Sequence, residues 1–207
     1  MVMAVSIFYH PQTTYLMVLA GYESGHTSVS QVVSSTWQIL YTTQAHTQPI
    51  LSLDVSPSKH FYLTSSADAI IAKHPIPVSQ EHGIMAVESI PLKTLQTKHA
   101  GQQSLRIRND GKIFATAGWD SRVRVYSVNG LKELAVLKWH KEGCYTVAFA
   151  DVPAITDGLD DGKLEGKDLV KRIGTMTVQQ ERLLKAKTSH WLAAGSKDGK
   201  VSLWEIY

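Results

Sequence analysis

The stretch Trp191-Leu-Ala-Ala-Gly-Ser-Lys-Asp198-Gly-Lys-Val-Ser-Leu-Trp204 decides the fold. A short apolar run meets a Gly/Ser/Asp/Gly turn, then an alternating run ends in tryptophan, which is the pattern of a β-hairpin. The same shape stands at 113–126 around Asp120 and at 62–74 around Asp68, with a degraded copy at 18–30 around Ser24. In all four, the turn residue and the residue ending the second strand are six apart: 24 to 30, 68 to 74, 120 to 126, 198 to 204. Four matching offsets make this an internal repeat.

A histidine precedes each of the last three hairpins: His46, His99 and His140. Between each histidine and its hairpin lies a strand-like run, beginning at Ile50, Ser104 and Cys144; Val5 to Tyr9 plays that part in the first unit. Fourth strands follow at Gln38–Tyr41, Lys93–Gln96 and Glu133–Leu137. Turn-to-turn spacings of 44 (24 to 68) and 52 (68 to 120) lie near the length of a WD-repeat propeller blade. Four strands per unit predict an all-β propeller with four blades, at about 1–44, 45–97, 98–138 and 139–207. The last unit carries an insertion at 151–189. Its first half is charged and Gly-rich, and its second half predicts a short helix near 177–187. The last unit ends on its third strand, and WD-repeat rings usually have more blades. The expectation is therefore the C-terminal part of a seven-bladed ring.

The 207 residues carry 21 Lys+Arg against 18 Asp+Glu, too slight an excess to argue nucleic-acid binding. No apolar run reaches the length of a membrane helix, and the N-terminus lacks the basic flank and cleavage site of a signal peptide. The single cysteine, Cys144, excludes an intrachain disulfide and a cysteine-built zinc site. No histidine pair shows metal-binding helical spacing and no phosphate loop occurs, so neither metal nor cofactor is expected. The composition is that of a soluble intracellular protein.

The units repeat a hydroxyl, an imidazole and a carboxylate: His46/Thr64/Asp68, then His99/Thr116/Asp120, then His140/Asp198 with Ala194 at the hydroxyl position. A catalytic set needs one copy in a cleft. One copy per blade reads as a structural network, in which a turn aspartate ties an imidazole and backbone amides together. Trp204, or Tyr126 in the third unit, adds a donor from the next strand. Ser24 and Ser30 occupy the equivalent places in the first unit, which packing must hold instead. No catalytic residue is expected.

Beyond the repeat, five segments resemble the fungal ASTRA-associated protein 1 family: 45–54, 63–75, 98–108, 112–126 and 190–207. These are WD-repeat proteins similar to the animal G-protein β-subunit-like proteins. The resemblance implies a nuclear, non-enzymatic subunit of the ASTRA assembly, linked to chromatin remodelling and to co-chaperoning of phosphatidylinositol-3-kinase-like kinases. Implied partners are the Tel and Tti co-chaperone proteins, RuvB-like ATPases and a large Tra-type protein, with no membrane and no direct nucleic-acid contact. The alternative is a propeller that reads histone tails or nucleic acid.

Candidate partner-binding residues are those that depart from the repeat. Trp119 precedes a turn aspartate, Trp139 precedes His140, and Lys197 is the Trp119 equivalent in the last unit. Exposed tryptophans on a rim are interface anchors. Arg106 and Arg108 stand on an inner strand, where they line the channel for an acidic partner or, as favoured, pair with a neighbouring blade's carboxylate. Arg122 and Arg124 read as ordinary outer-strand alternation.

Overall fold

The computed structural model describes residues 1–78, 89–151, 177–179, 182 and 189–206. The expected insertion and most of its helix lie outside these. The described residues form four antiparallel sheets. The first is β1 (Val2–Tyr9), β2 (Leu16–Tyr22), β3 (His26–Val33) and β4 (Thr36–Gln44), each strand beside the next. The second is β5 (Ile50–Val55), β6 (Phe61–Ser66), β7 (Ile70–Pro75) and β8 (Lys93–Gln96). The third is β9 (Gln102–Ile107), β10 (Ile113–Gly118), β11 (Val123–Ser127) and β12 (Glu133–Leu137). The fourth has β13 (Cys144–Phe149), β14 (Trp191–Ser196) and β15 (Val201–Glu205). These are propeller blades, joined in chain order by meander connections.

Turn chemistry sets the hairpins. Asp68, Asp120 and Asp198 each accept the amide two residues on, that of Ile70, Arg122 and Lys200. This is the local bond that makes aspartate a turn former. A feature absent from the sequence reading also repeats. Every inner strand shifts register near its start, between Val2 and Ala4, Ile50 and Ser52, Gln102 and Ser104, and Cys144 and Thr146. A bulge there increases local twist.

The alternation of strand residues sends each blade's two faces to different neighbours. Met17 and Leu19 pack toward Tyr62 of the second blade. Leu63 and Ile71 pack against Leu105, Phe114 and Tyr126 of the third. Ala115, Ala117 and Val125 pack against Cys144, Val147, Leu192 and Ala194 of the fourth. Each blade thus has a near face, toward the preceding blade, and a far face, toward the next. The inner strands are stitched by hydroxyls and one carboxylate: the Leu105 amide donates to Ser52 Oγ, the Ile107 amide to Asp54 and the Val147 amide to Ser104 Oγ.

Two faces of this arc stay exposed among the described residues. The near face of the first blade exposes Val5, Ile7, Tyr9, Trp37 and Ile39, with Tyr9 70% accessible. The far face of the fourth exposes Val201 and Leu203, at 69% and 62%. These occupy the positions that inside the arc form blade-to-blade cores.

Candidate partner-binding rim and blade network

The second blade completes the predicted network and extends it. His46 Nδ1 lies 3.2 Å from Asp68 Oδ1, and His46 Nε2 lies 2.8 Å from Thr64 Oγ1. Thr64 Oγ1 is in turn 2.8 Å from His74 Nε2, and His74 Nδ1 is 2.9 Å from the Tyr41 hydroxyl, which comes from the first blade. One proton assignment satisfies the whole chain. Tyr41 O–H donates to His74 Nδ1, His74 Nε2–H to Thr64, Thr64 O–H to His46 Nε2, and His46 Nδ1–H to Asp68. His46, Thr64, His74 and Tyr41 are all buried. Burial is the main force holding His74 to a pKa of about 3, with the nearby His46 adding to it, so the ring is neutral. Burial opposes the charge on Asp68, yet the bonds from His46 and the Ile70 and Thr47 amides hold its pKa below the usual value. A hydroxyl enclosed between two imidazoles has no open side for a substrate.

In the third blade the expected trio does not form. His99 Nδ1 is 3.8 Å from Asp120, and the imidazole stays at the surface. Arg124 takes its place, with NH2 2.6 Å and NH1 3.1 Å from the two Asp120 oxygens. A buried guanidinium fork makes two charge-assisted bonds where an imidazole makes one, which is why it displaces His99. Burial opposes the Asp120 charge, but Arg124 more than offsets it and lowers the pKa. Thr116 is buried beside Tyr126, whose phenol burial raises to about 12. Tyr126 stacks on Phe114 at 5.1 Å.

In the fourth blade the hydroxyl has changed strands. Ser202 stands directly across from Ala194, and its Oγ lies 2.8 Å from His140 Nε2. Trp204 Nε1 donates to the same oxygen at 2.9 Å. Asp198 does not join His140 as expected; it binds Lys200 Nζ at 2.7 Å, which with the Lys200 amide lowers its pKa to about 2. The first blade keeps a reduced version, with the Tyr22 hydroxyl 3.1 Å from Ser28 Oγ.

The rim residues divide. Trp119 is 46% exposed, and its indole N–H donates to Gln103 at 2.8 Å. Gly101, at φ 72°, lets the indole lie against the backbone; a Cβ there would overlap the ring. Trp139 is 53% exposed and meets His140 edge-on at 4.9 Å. Lys197 is exposed, and its amide donates to the Gly143 carbonyl. Trp139, His140, Lys141, Asp198 and Lys200 line a cleft of about 200 Å³.

The two inner-strand arginines part company. Arg108 is buried on Asp110 at 2.6 Å, a carboxylate of its own blade's turn and not a neighbour's. Arg106 is exposed and shares a polar cleft with Ser52 and Asp54 of the second blade. Burial raises the Asp54 pKa, and Arg106 partly counters it. Cys144 is buried, which pushes its thiol up to about 11. Among the described residues no group of three or more His, Cys, Asp or Glu could hold a metal ion. No helix among them is long and apolar enough to cross a membrane.

Comparison with known proteins fits this geometry. The WD domain, G-beta repeat family matches residues 37–72, 89–127 and 185–205. ASTRA-associated protein 1 of Verticillium alfalfae is 51% identical over the whole chain, which corresponds to 50% of that protein. ASTRA-associated protein 1 of Aspergillus niger is 47% identical over the whole chain and 53% of its own length. The Schizosaccharomyces pombe protein of that name is 34% identical over 93% of this chain and 45% of its own. The chain therefore spans about half the length of these relatives. Among solved structures, the computationally designed Ika4 protein superposes with a TM-score of 0.62 at 15% identity, covering 100% of this chain and 92% of that one. That likeness concerns the fold alone.

Proposed function

This chain belongs with the fungal WD-repeat proteins of the ASTRA-associated protein 1 family, and from that premise we propose that it is a non-catalytic scaffold subunit of the ASTRA complex. The observation that carries the reading is that the imidazole–hydroxyl pairs of the second and fourth blades, His46–Thr64 and His140–Ser202, are buried inside their blades. Where Asp68 meets His46, the Thr64 hydroxyl on the far side of the ring is sealed between His46 and His74. Where the set is open to water, at His99 and Asp120, an arginine has taken the carboxylate. Blades packed face to face and exposed rim tryptophans suit a platform for other proteins.

Under this reading the chain works in the nucleus, within an assembly linked to chromatin remodelling and to maturation of phosphatidylinositol-3-kinase-like kinases. Its partners are Tel and Tti co-chaperone proteins, RuvB-like ATPases and a large Tra-type protein. The two open apolar faces are completed by further blades, as in a larger ring. The reading as a histone-tail or nucleic-acid binder has only Arg106 exposed on the inner strands, beside the carboxylate of Asp54, since Arg108 is committed to Asp110. Affinity purification of the tagged chain from a fungal host, read by mass spectrometry, tests the proposal. Co-purification of Tel, Tti and RuvB-like proteins is expected. Their absence from a stable, soluble bait would refute it.

A further inference from the structure

The two open faces carry the residues of a junction that already exists inside the arc, as strand register shows column by column. On the near face of the first blade, Val5, Ala20 and Ser28 stand side by side. The fourth blade has Val147, Ala194 and Ser202 in those columns. The second has Leu53, Thr64 and Ala72, and the third Leu105, Thr116 and Arg124. The first blade therefore repeats the near face of the fourth and of no other. On the far side, Ala193, Gly195, Val201 and Leu203 of the fourth blade stand where Ala115, Ala117, Val123 and Val125 stand in the third. That third-blade face is the one packed on the near face of the fourth. Each open face thus matches one half of the junction between the third and fourth blades.

A polar bond repeats with it. Ser52 and Ser104 each accept an amide of the next blade's inner strand, those of Leu105 and Val147. Thr146 holds that column in the fourth blade and is exposed, and Val5 holds the Leu105 and Val147 column in the first. We infer that a second copy of this chain covers both faces, head to tail, so that two arcs of four sheets close an eight-bladed ring. The near face of each first blade lies on the far face of the other copy's fourth blade, with Thr146 accepting the Val5 amide. Another protein's blade would have no reason to repeat the third-blade face, whereas the fourth blade of this chain does. Three blade-to-blade cores lie within one chain, so each arc stays folded when the ring opens on dilution. The inference rests on the reading of these faces as ring junctions. Partner capture is scored separately, so a chain that stays single yet recovers the expected partners fails this inference alone.

Sedimentation equilibrium of the full chain, from about 1 µM to about 200 µM, tests it. The mass is expected to rise from one copy to two and stop there, because a closed ring has no free face. Ile7→Glu and Leu203→Glu each place a carboxylate on one face, and each should weaken pairing by more than about tenfold. Their equimolar mixture keeps one junction unaltered, so native mass spectrometry with one variant nitrogen-15 labelled should show a one-to-one dimer. Thr146→Val keeps the shape but removes the acceptor, and should weaken pairing about fivefold. Leu134→Glu, on the exposed outer strand of the third blade, should leave pairing unchanged. Circular dichroism at about 1 µM, expected to be the same for all variants, separates lost pairing from lost folding. A chain that stays single at every concentration would overturn the inference and leave both faces to another polypeptide. So would masses beyond two copies, a mixture that stays monomeric, full pairing in Thr146→Val, or an equal loss in Leu134→Glu.

Discussion

Replacing Thr64 by valine tests whether the relay holds the second blade. The hydroxyl makes two bonds at 2.8 Å, one to His46 Nε2 and one to His74 Nε2. Valine keeps the shape but strands an acceptor on His46 and a donor on His74, both out of water. Each unpaired buried polar group costs about 1–3 kcal/mol, so the expected loss is about 2–5 kcal/mol once relaxation is allowed. Thr116 is the internal control. It occupies the same repeat position and is equally buried, but no imidazole depends on it, since His99 has stayed at the surface. Thr116→Val should cost no more than about 1.5 kcal/mol. Urea unfolding followed by tryptophan fluorescence measures both. In a chain of this size each kcal/mol moves the melting temperature by about 2–4 °C, so the two variants should separate clearly on heating as well. Equal losses for the two would refute the reasoning, because they would show that the bonds to His46 and His74 add nothing beyond an ordinary buried threonine.

Stability should also depend on His74 protonation. The unfolded imidazole gains its proton near pH 6.5 and the folded one only near pH 3, so the unfolded state binds more protons between these values and stability falls as pH drops. The expected slope is about 1.4 kcal/mol per pH unit from this group, absent in His74→Phe; urea midpoints from pH 6.5 to 4.5 measure it, and an unchanged slope contradicts the assignment. Ser202→Ala should cost about 1–3 kcal/mol and speed exchange of the Trp204 indole proton, since one oxygen serves both His140 and Trp204. A neutral change with a protected indole would show that Ser202 is not the shared partner of His140 and Trp204. Ile7→Glu and Leu203→Glu lie on the open faces, so each should shift stability by no more than about 0.5 kcal/mol while lowering apolar-dye binding and self-association. A large stability loss would mean that these faces are covered.

The hairpins were legible because their turns are local. An aspartate that bonds the amide two residues on announces itself within one hairpin, and counting six residues to either side of it then gives the pairing of Tyr62 with His74 and of Leu192 with Trp204. What escaped depends on neighbours across strands or blades. His74 stands at the Trp204 position, a visible hint of a second imidazole in the relay, but Tyr41 reaches it from another blade and no sequence interval marks that. Arg124 read as simple alternation, although it lies four residues after Asp120, in the column that holds Ser202 four residues after Asp198. That column faces the hydroxyl position, Thr116 opposite Arg124 and Ala194 opposite Ser202. Comparing columns across the strand pair, instead of residues along one strand, would have shown both the lost His99 bond and the relocated hydroxyl. The inner-strand bulges carry no residue signature, because twist and blade packing impose them.

The claim underlying the rest is that the imidazoles are fixed parts of the architecture. Nitrogen-15 NMR of the histidine rings reads this directly, since each tautomer has its own pattern of shifts. The relay requires His46 to carry its proton on Nδ1 and His74 on Nε2, with His74 staying neutral as the pH is taken from 7 to 5. Averaged tautomers in either ring, or a His74 that titrates near pH 6.5, would contradict the account and reopen the cluster as chemistry accessible from solvent.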